Sequence, residues 1–233
     1  MTNNFQNKRF IVITIDGPAG AGKTTIARKL AQRLQFCMLD SGALYRTIAL
    51  ALIRGGVDPE NHNIPNTLIH SLNIGVDPDI GSMKVTLGGE DVSGEIRSEY
   101  VGIAASKFSA KAQVREFLLG IQRSVAEKCD LVAEGRDMGA VVFPLADVKF
   151  FLTADSQTRA RRRYEELFHK GIEANFSAVL KEMRARDHRD ETRSLAPLTA
   201  ADDAIIVDTT SLTPDEILEI MLERIASKVE DAK

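Results

Sequence analysis

The sequence predicts an α/β protein with a parallel sheet in a three-layer core, a small inserted antiparallel β subdomain and a helical lid. Three observations carry this prediction. A buried-strand run near the N-terminus ends in a glycine-rich turn and passes into an amphipathic helix; further apolar runs alternate with helical stretches; and one internal segment switches to a period of two. The 233 residues suffice for one large domain or a core with inserted subdomains. With 44% hydrophobic and 27% charged residues the composition is that of a globular protein, which excludes disordered, collagen-like and membrane-spanning classes.

Taken in order, Phe10-Ile11-Val12-Ile13-Thr14-Ile15 is almost continuously apolar and β-branched, as a strand covered on both faces requires. From Lys23, Ile26, Leu30 and Leu34 recur every four residues beside Ala27 and Ala31 and form one helical stripe. Asp40-Ser41-Gly42 reads most simply as the N-cap of a helix over Ala43–Ile53. Between about Ser71 and Arg97, Ile74/Val76 and Met83/Val85/Leu87 alternate, and Gly88-Gly89 supplies a two-residue hairpin turn. Leu131–Ala133, Val148–Leu152 and Ala204–Asp208 predict further buried strands. Thr213-Pro214-Asp215-Glu216 is a capping box opening a last helix with the stripe Leu218, Leu222, Ile225 and Val229. From Thr158 to Arg193 apolar residues thin out and arginines crowd in, which predicts a mobile helical cover. These readings assign residues 8–67 and 108–230 to the core, 68–107 to the insertion and about 157–193 to the lid.

Gly17-Pro18-Ala19-Gly20-Ala21-Gly22-Lys23-Thr24 satisfies G-x-x-x-x-G-K-[ST] and lies where that motif works, between a buried strand and a helix start. Its glycines let successive N–H groups face phosphate oxygens, the helix N-terminus adds positive potential, and Lys23 reaches the β- and γ-phosphates. Gly17 to Thr25 are therefore the candidate ATP site. Thr24 is the candidate Mg²⁺ ligand, with Thr25 and, through water, Glu134 as alternatives. The core is accordingly that of a P-loop NTPase. No Asn-Lys-x-Asp segment for reading guanine is present, which weighs against a switch GTPase.

Net charge and cysteine usage bound the partners. Thirty Lys and Arg against 33 Asp and Glu leave −3, a poor field for a polyanion, so no nucleic-acid partner is expected. The arginine-rich stretch from Arg159 to Arg193 holds ten basic and seven acidic residues, a net of only +3, and a solvated ion-paired face is the ordinary explanation for any single arginine in it. Met1–Arg9 is polar, no run approaches the roughly 18 apolar residues of a membrane helix, and Cys37 and Cys129 lie far apart in the chain without metal-site spacing. A cytoplasmic protein with no membrane partner is expected. His62, His70, His169 and His188 show no nucleophile or metal spacing.

At the end of the third buried strand comes Glu134-Gly135-Arg136-Asp137-Met138-Gly139, where open α/β sheets bind their ligands. Together with the phosphate loop, Leu39-Asp40-Ser41-Gly42-Ala43-Leu44-Tyr45-Arg46, Asp91-Val92-Ser93-Gly94-Glu95-Ile96-Arg97 and Arg186-Asp187-His188-Arg189-Asp190, this segment closely resembles bacterial cytidylate kinases, and the resemblance runs in order over nearly the whole chain. It implies a monomeric, ATP- and Mg²⁺-dependent kinase that phosphorylates CMP and dCMP in pyrimidine salvage. It further implies that Arg46 and Arg136 grip the acceptor phosphate, with Asp40 and Ser41 beside them. Ser106, Arg115 and Asp137 would read cytosine, and Arg186, Asp190 and Arg193 would bind the ribose. Lys23, Arg136, Arg162 and Arg186 are the implied catalytic cations, and Arg159, Arg161 and Arg163 are further lid cations. An acceptor such as UMP, or a regulatory nucleotide switch, is the rival reading; a carboxylate at Asp137 facing the C4 carbonyl of uracil argues against UMP.

Overall fold

A computed structural model of the chain describes residues 9–60 and 64–231; Met1–Lys8 and His62, both noted above, lie outside them. The elements run β1 (Val12–Asp16), α1 (Lys23–Leu34), β2 (Cys37–Asp40), α2 (Ser41–Arg54), α3 (Asn66–His70), β3 (Ile74–Asp79), β4 (Ser82–Leu87), β5 (Glu90–Asp91), α4 (Glu99–Phe108), α5 (Ala112–Val125), β6 (Leu131–Glu134), β7 (Val148–Thr153), α6 (Ser156–His169), α7 (Phe176–Thr192), β8 (Ile205–Asp208) and α8 (Pro214–Asp231). A 3₁₀ turn at Glu95–Arg97 and a π-helical turn at Met138–Val142 complete the order.

The main sheet is parallel throughout, in the order β2-β6-β1-β7-β8. Alternation along its inner strands sorts side chains between two cores. Ile13, Ile15 and Val132 pack with Ile26, Leu30, Ile217 and Met221 of α1 and α8, whereas Leu39, Leu131 and Ala133 pack with Leu44, Ile48, Phe108 and Leu118 of α2, α4 and α5. The result is three layers. β1 begins two residues later than the apolar run suggests, and Ile11 is exposed. β8 departs from the buried-strand reading: as an edge strand it pairs only with β7, and Ile206 faces outward, 65% exposed. β2 carries no pattern visible in four residues and was not anticipated.

β3, β4 and β5 form the separate antiparallel sheet. Gly88 and Gly89, both at positive φ, make the two-residue turn between β4 and β5, with Leu87 opposite Glu90. Its inner face, with Val85 of β4 and Val92 just beyond β5, belongs to the same buried cluster as Leu39 and Leu44. The insertion thus shares the core of the main sheet. α6 and α7 pack through a small cluster of their own, Ala160, Leu167, Val179 and Met183, against which Ala19 of the phosphate loop rests. The capping box at α8 forms as expected: the Glu216 amide donates to Thr213 Oγ1 (3.3 Å) and the Thr213 amide to Glu216 Oε2 (2.8 Å). Of the α8 stripe, the Val229 side chain lies outside the described residues.

Cys37 and Cys129, distant in sequence, are neighbours. Cys37 donates its amide to Asp130 O (2.9 Å) and its thiol meets that of Cys129, which burial pushes up to about 12. Among the described residues no helix is long and apolar enough to cross a membrane.

Because Val85 is buried in the shared core, Val85→Ala should lower global stability by about 1.5–3 kcal/mol in a single urea transition. A separate early transition would show that the insertion unfolds by itself.

Candidate functional site

Parallel register brings every strand's C-terminal end to one edge. Asp40 of β2 lies level with Glu134 of β6, and Glu134 with Ile15 of β1, so the turns that follow meet around one crevice of about 770 Å³. The phosphate loop forms its floor. Gly17 has φ +141°, and a Cβ there would drive into Leu152 O, so only glycine lets the loop leave β1 against β7. Gly17, Pro18 and Ala21 build the turn without lining the crevice, which is faced by Ala19, Gly20, Gly22, Lys23, Thr24 and Thr25.

Lys23 is buried and folds back to donate from Nζ to Pro18 O (2.7 Å). Burial, aided by the charge of Arg136, lowers its ammonium from 10.5 to about 7. Thr24 donates from Oγ1 to Glu134 Oε1 (2.8 Å), whereas Thr25 is exposed. Burial, then the charge of Asp40, raises Glu134 to about 7. A hydroxyl beside a desolvated carboxylate is an oxygen donor set suited to a hard cation, although no group of three or more His, Cys, Asp or Glu is arranged for a metal among the described residues.

On the acceptor side, Asp40 does what the simple reading expects and caps α2, accepting the Ala43 amide on Oδ1 (2.9 Å). Ser41 is buried at the helix start, and a Cβ on Gly135 would lie 2.6 Å from its Oγ, so Gly135 allows β6 to approach. One turn into α2, Arg46 donates from Nη1 to Ile96 O (3.3 Å) and Ser98 O (3.4 Å), and burial lowers its pKa. Arg136 donates from Nε to Asp190 Oδ2 (3.1 Å). Arg186 stands 4.0 Å from the same oxygen, and its buried Nε has no hydrogen-bond partner among the described residues. Burial, then the charge of Arg136, lowers Arg186 to about 10.

Asp137 lies deeper and is 2% exposed. Arg115 pairs with its Oδ2, and Arg193 Nη2 lies 3.8 Å from its Oδ1. Arg115 does not line the crevice itself; it works through this contact and stacks over the Tyr45 ring, 5.7 Å from the centroid. The Ser106 hydroxyl, buried at the wall of the same crevice, has no hydrogen-bond partner among the described residues. A buried hydroxyl without a partner and an ion-paired carboxylate thus line the same crevice, and the orphan donor calls for an acceptor.

Most of the residues singled out from sequence therefore meet here, but two lid cations are spent elsewhere. Arg162 borders the crevice and donates to Thr209 Oγ1 (3.1 Å) and Thr209 O (2.6 Å). Arg159, expected to face the phosphates as a lid cation, is buried and bonded to Ala154, Ala19 and Asp187. Other contributors went unread. Asp16 accepts the Met138 and Gly139 amides (2.8 and 2.7 Å) and so fixes the turn carrying Arg136 and Asp137; burial outweighs both bonds and raises it to about 6. An acid closing an apolar strand was its one sequence signal. Gly102, inside α4, is the other: a Cβ there would sit 2.6 Å from Arg46 Nη1.

A crevice that draws cations from both sides of a phosphate-binding loop suits the passage of a phosphoryl group between two bound anions, which makes this a P-loop kinase. Sequence comparison narrows the class. The family model for cytidylate kinase matches residues 13–227. The cytidylate kinase of Vibrio cholerae serotype O1 is 49% identical over 218 residues, 94% of this chain and 97% of that one, and that of Mannheimia succiniciproducens is 49% identical over 219 residues with the same shares. The chain belongs to the cytidylate kinase family. Among solved structures, a gluconokinase from Sinorhizobium meliloti aligns with a TM-score of 0.49 at 15% identity, covering 97% of both chains, and a shikimate kinase from Bacteroides thetaiotaomicron with 0.48 at 15%, covering 94% of this chain and 98% of that one.

Two outcomes follow from this geometry. Gly102→Ala should leave stability unchanged or raise it by up to about 1 kcal/mol, as alanine favours a helix, while displacing Arg46 and raising KM for the acceptor about three- to tenfold; an unchanged KM would mean that Arg46 tolerates the methyl group. At about pH 8.5 Lys23, lowered to about 7, is largely neutral and regains its proton beside a polyanion, so binding of metal-free ATP should take up about one proton, read by calorimetry in buffers of different ionisation enthalpy. No uptake would place a charged Lys23 in the free protein.

Proposed function

We propose that this chain transfers the γ-phosphoryl group of ATP to CMP and dCMP, giving CDP and dCDP, by direct in-line displacement without a phosphoenzyme. The observation that carries the acceptor assignment is the buried Asp137, held between Arg115 and Arg193 in the crevice that the unpartnered Ser106 hydroxyl also lines. Cytosine presents an amino donor at C4 next to acceptors at N3 and O2; a carboxylate at the amino group with arginine and serine donors opposite complements it. Uracil would set a carbonyl oxygen against the carboxylate, two acceptors with no proton between them.

Arg46, one turn into α2, and Arg136, just beyond β6, grip the acceptor phosphate, beside Asp40 and Ser41. Asp190 passes from Arg136 to the sugar hydroxyls, with Arg186 and Arg193 flanking it. A carboxylate that accepts both hydroxyls of ribose keeps one in 2′-deoxyribose, which supports the use of both sugars. On the donor side, the loop amides that face the crevice, those of Ala19, Gly20, Gly22, Lys23, Thr24 and Thr25, cradle the polyphosphate, and the phosphates draw Lys23 from Pro18 O and restore its charge. Thr24 and, through water, Glu134 would hold Mg²⁺, with exposed Thr25 the weaker alternative; the ion supplies neutralisation of the β- and γ-phosphate oxygens. Lys23, Arg136 and Arg186 surround the migrating group, and Arg162 joins them on release from Thr209. Closure of residues 157–193 as a lid over the core, with 68–107 as the acceptor-binding insertion, would expel water and spare ATP from hydrolysis. A monomer working in the cytoplasm in pyrimidine salvage without a membrane partner completes the reading, and the net charge of −3 supports the lack of a nucleic-acid partner.

The test is ADP release with ATP and Mg²⁺ against CMP, dCMP, UMP, AMP, GMP or no acceptor. Turnover is expected with CMP and dCMP only, and Asp137→Ala should reduce it about a hundredfold or more. ADP release indifferent to the acceptor would overturn the kinase reading; equal activity on UMP would remove the role given to Asp137.

A further inference from the structure

Among Arg159, Arg161, Arg162 and Arg163 of α6, only Arg159 is buried. Asp155 caps the helix by accepting the Gln157 and Thr158 amides, which sets the direction of the first turn and turns Arg159 inward. Its guanidinium meets three acceptors from three parts of the fold: Nε donates to Ala154 O just after β7 (2.9 Å), and Nη1 to Ala19 O in the phosphate loop (3.0 Å) and to Asp187 Oδ2 on α7 (2.6 Å). Both side chains of the ion pair are about nine-tenths buried.

Stability alone is a poor reason for such a pair. A desolvated ion pair gains little over packed apolar side chains, and this one is incompletely satisfied, since Asp187 Oδ1 is buried without a hydrogen-bond partner among the described residues. The contact with Ala19 supplies a better one. A trans peptide is planar, so the Ala19 carbonyl and the Gly20 N–H point in opposite directions. Holding the carbonyl outward on Arg159 therefore aims the Gly20 N–H towards the hollow of the loop. Gly20 itself stands at φ +76°, where a Cβ would lie 2.8 Å from Met183 Cε and 3.1 Å from Arg159 Cβ, so the loop rests directly on α6 and α7.

We propose that Arg159 and Asp187 are positioning residues for the donor phosphates: the pair fixes the Ala19–Gly20 peptide in its phosphate-binding orientation and ties it to α7. The proposal rests on reading the loop as the ATP site. α7 also carries Arg186 and Asp190, and Asp190 holds Arg136 on the acceptor side. The donor loop and the acceptor crevice thus lean on one helix through different residues, and loss of the Arg159 anchor should disturb the first and spare the second.

The test compares Arg159→Met, Arg159→Lys, Asp187→Asn and the double variant Arg159→Met/Asp187→Leu, which leaves no lone buried charge and so controls for folding. Circular dichroism follows folding, and equilibrium titration measures ATP and CMP binding separately. In every folded variant lacking Arg159, the Kd for ATP should rise about tenfold while that for CMP stays within about twofold, with Arg159→Lys recovering part of the loss and Asp187→Asn lying between. Equal weakening of both ligands would make the pair merely structural, and unchanged ATP binding in the folded double variant would overturn the proposal outright. Failure of the parent protein to bind ATP would instead sink the donor-site reading on which the proposal rests.

Discussion

The crowding of positive charge in a desolvated crevice is the constraint on which the rest of the structure depends. Lys23, Arg46, Arg136 and Arg186 face the same space, and three buried carboxylates there are already engaged: Glu134 with Thr24, Asp190 with Arg136, Asp137 with Arg115. Burial and mutual repulsion consequently lower Lys23 to about 7 and Arg186 to about 10. Such a site is at its least favourable when it holds no anion. The repulsion among these cations is a strain that the fold itself must maintain.

Maintaining it requires rigid supports behind the cations. The parallel sheet gives the first, by levelling Asp40, Glu134 and Ile15 at one edge. Asp16 gives the second: its two oxygens hold the amides of Met138 and Gly139, so the turn bearing Arg136 and Asp137 is fastened to the residue that precedes the phosphate loop. Retaining a carboxylate at a buried position that raises it to about 6 makes sense only if those two amides must be held. Donor and acceptor segments thus meet at Asp16 on one side of the loop and at α7 on the other.

How much of this was legible in the sequence depended on whether a property repeats along the chain. The phosphate loop, the strand and helix of its βα unit, the antiparallel sheet and the capping box at Thr213 all have local signatures, and the elements they predict are present, with β1 starting two residues inside its apolar run. β2 did not show itself because four residues, Cys37–Asp40, are too few for a period. β8 looked buried on both faces because an edge strand of apolar residues reads like a central one. The cation cluster was visible as a crowd of arginines, but nothing in the composition marks Arg159 as a buried anchor; the inward turn set by Asp155 separates it from Arg163, the outer residue paired with Glu166. The approach of Cys37 to Cys129 had no sequence signal either, since it follows from β2 lying beside β6.

Gly102 and Gly135 show why the remaining site residues escape a one-dimensional reading. Each lacks a side chain where a functional one must fit, Arg46 Nη1 in the first case and Ser41 Oγ in the second. A glycine inside a helix is costly by about 1 kcal/mol relative to alanine, so its presence in α4 calls for a compensating contact. The sequence shows the cost and conceals the partner, because Arg46 lies 56 positions away and its guanidinium reaches α4 only once α2 has packed on it. The guanidinium of Arg46 is therefore placed by an absence on a neighbouring helix, and the shape of the crevice is specified as much by its missing methyl groups as by the charges that line it.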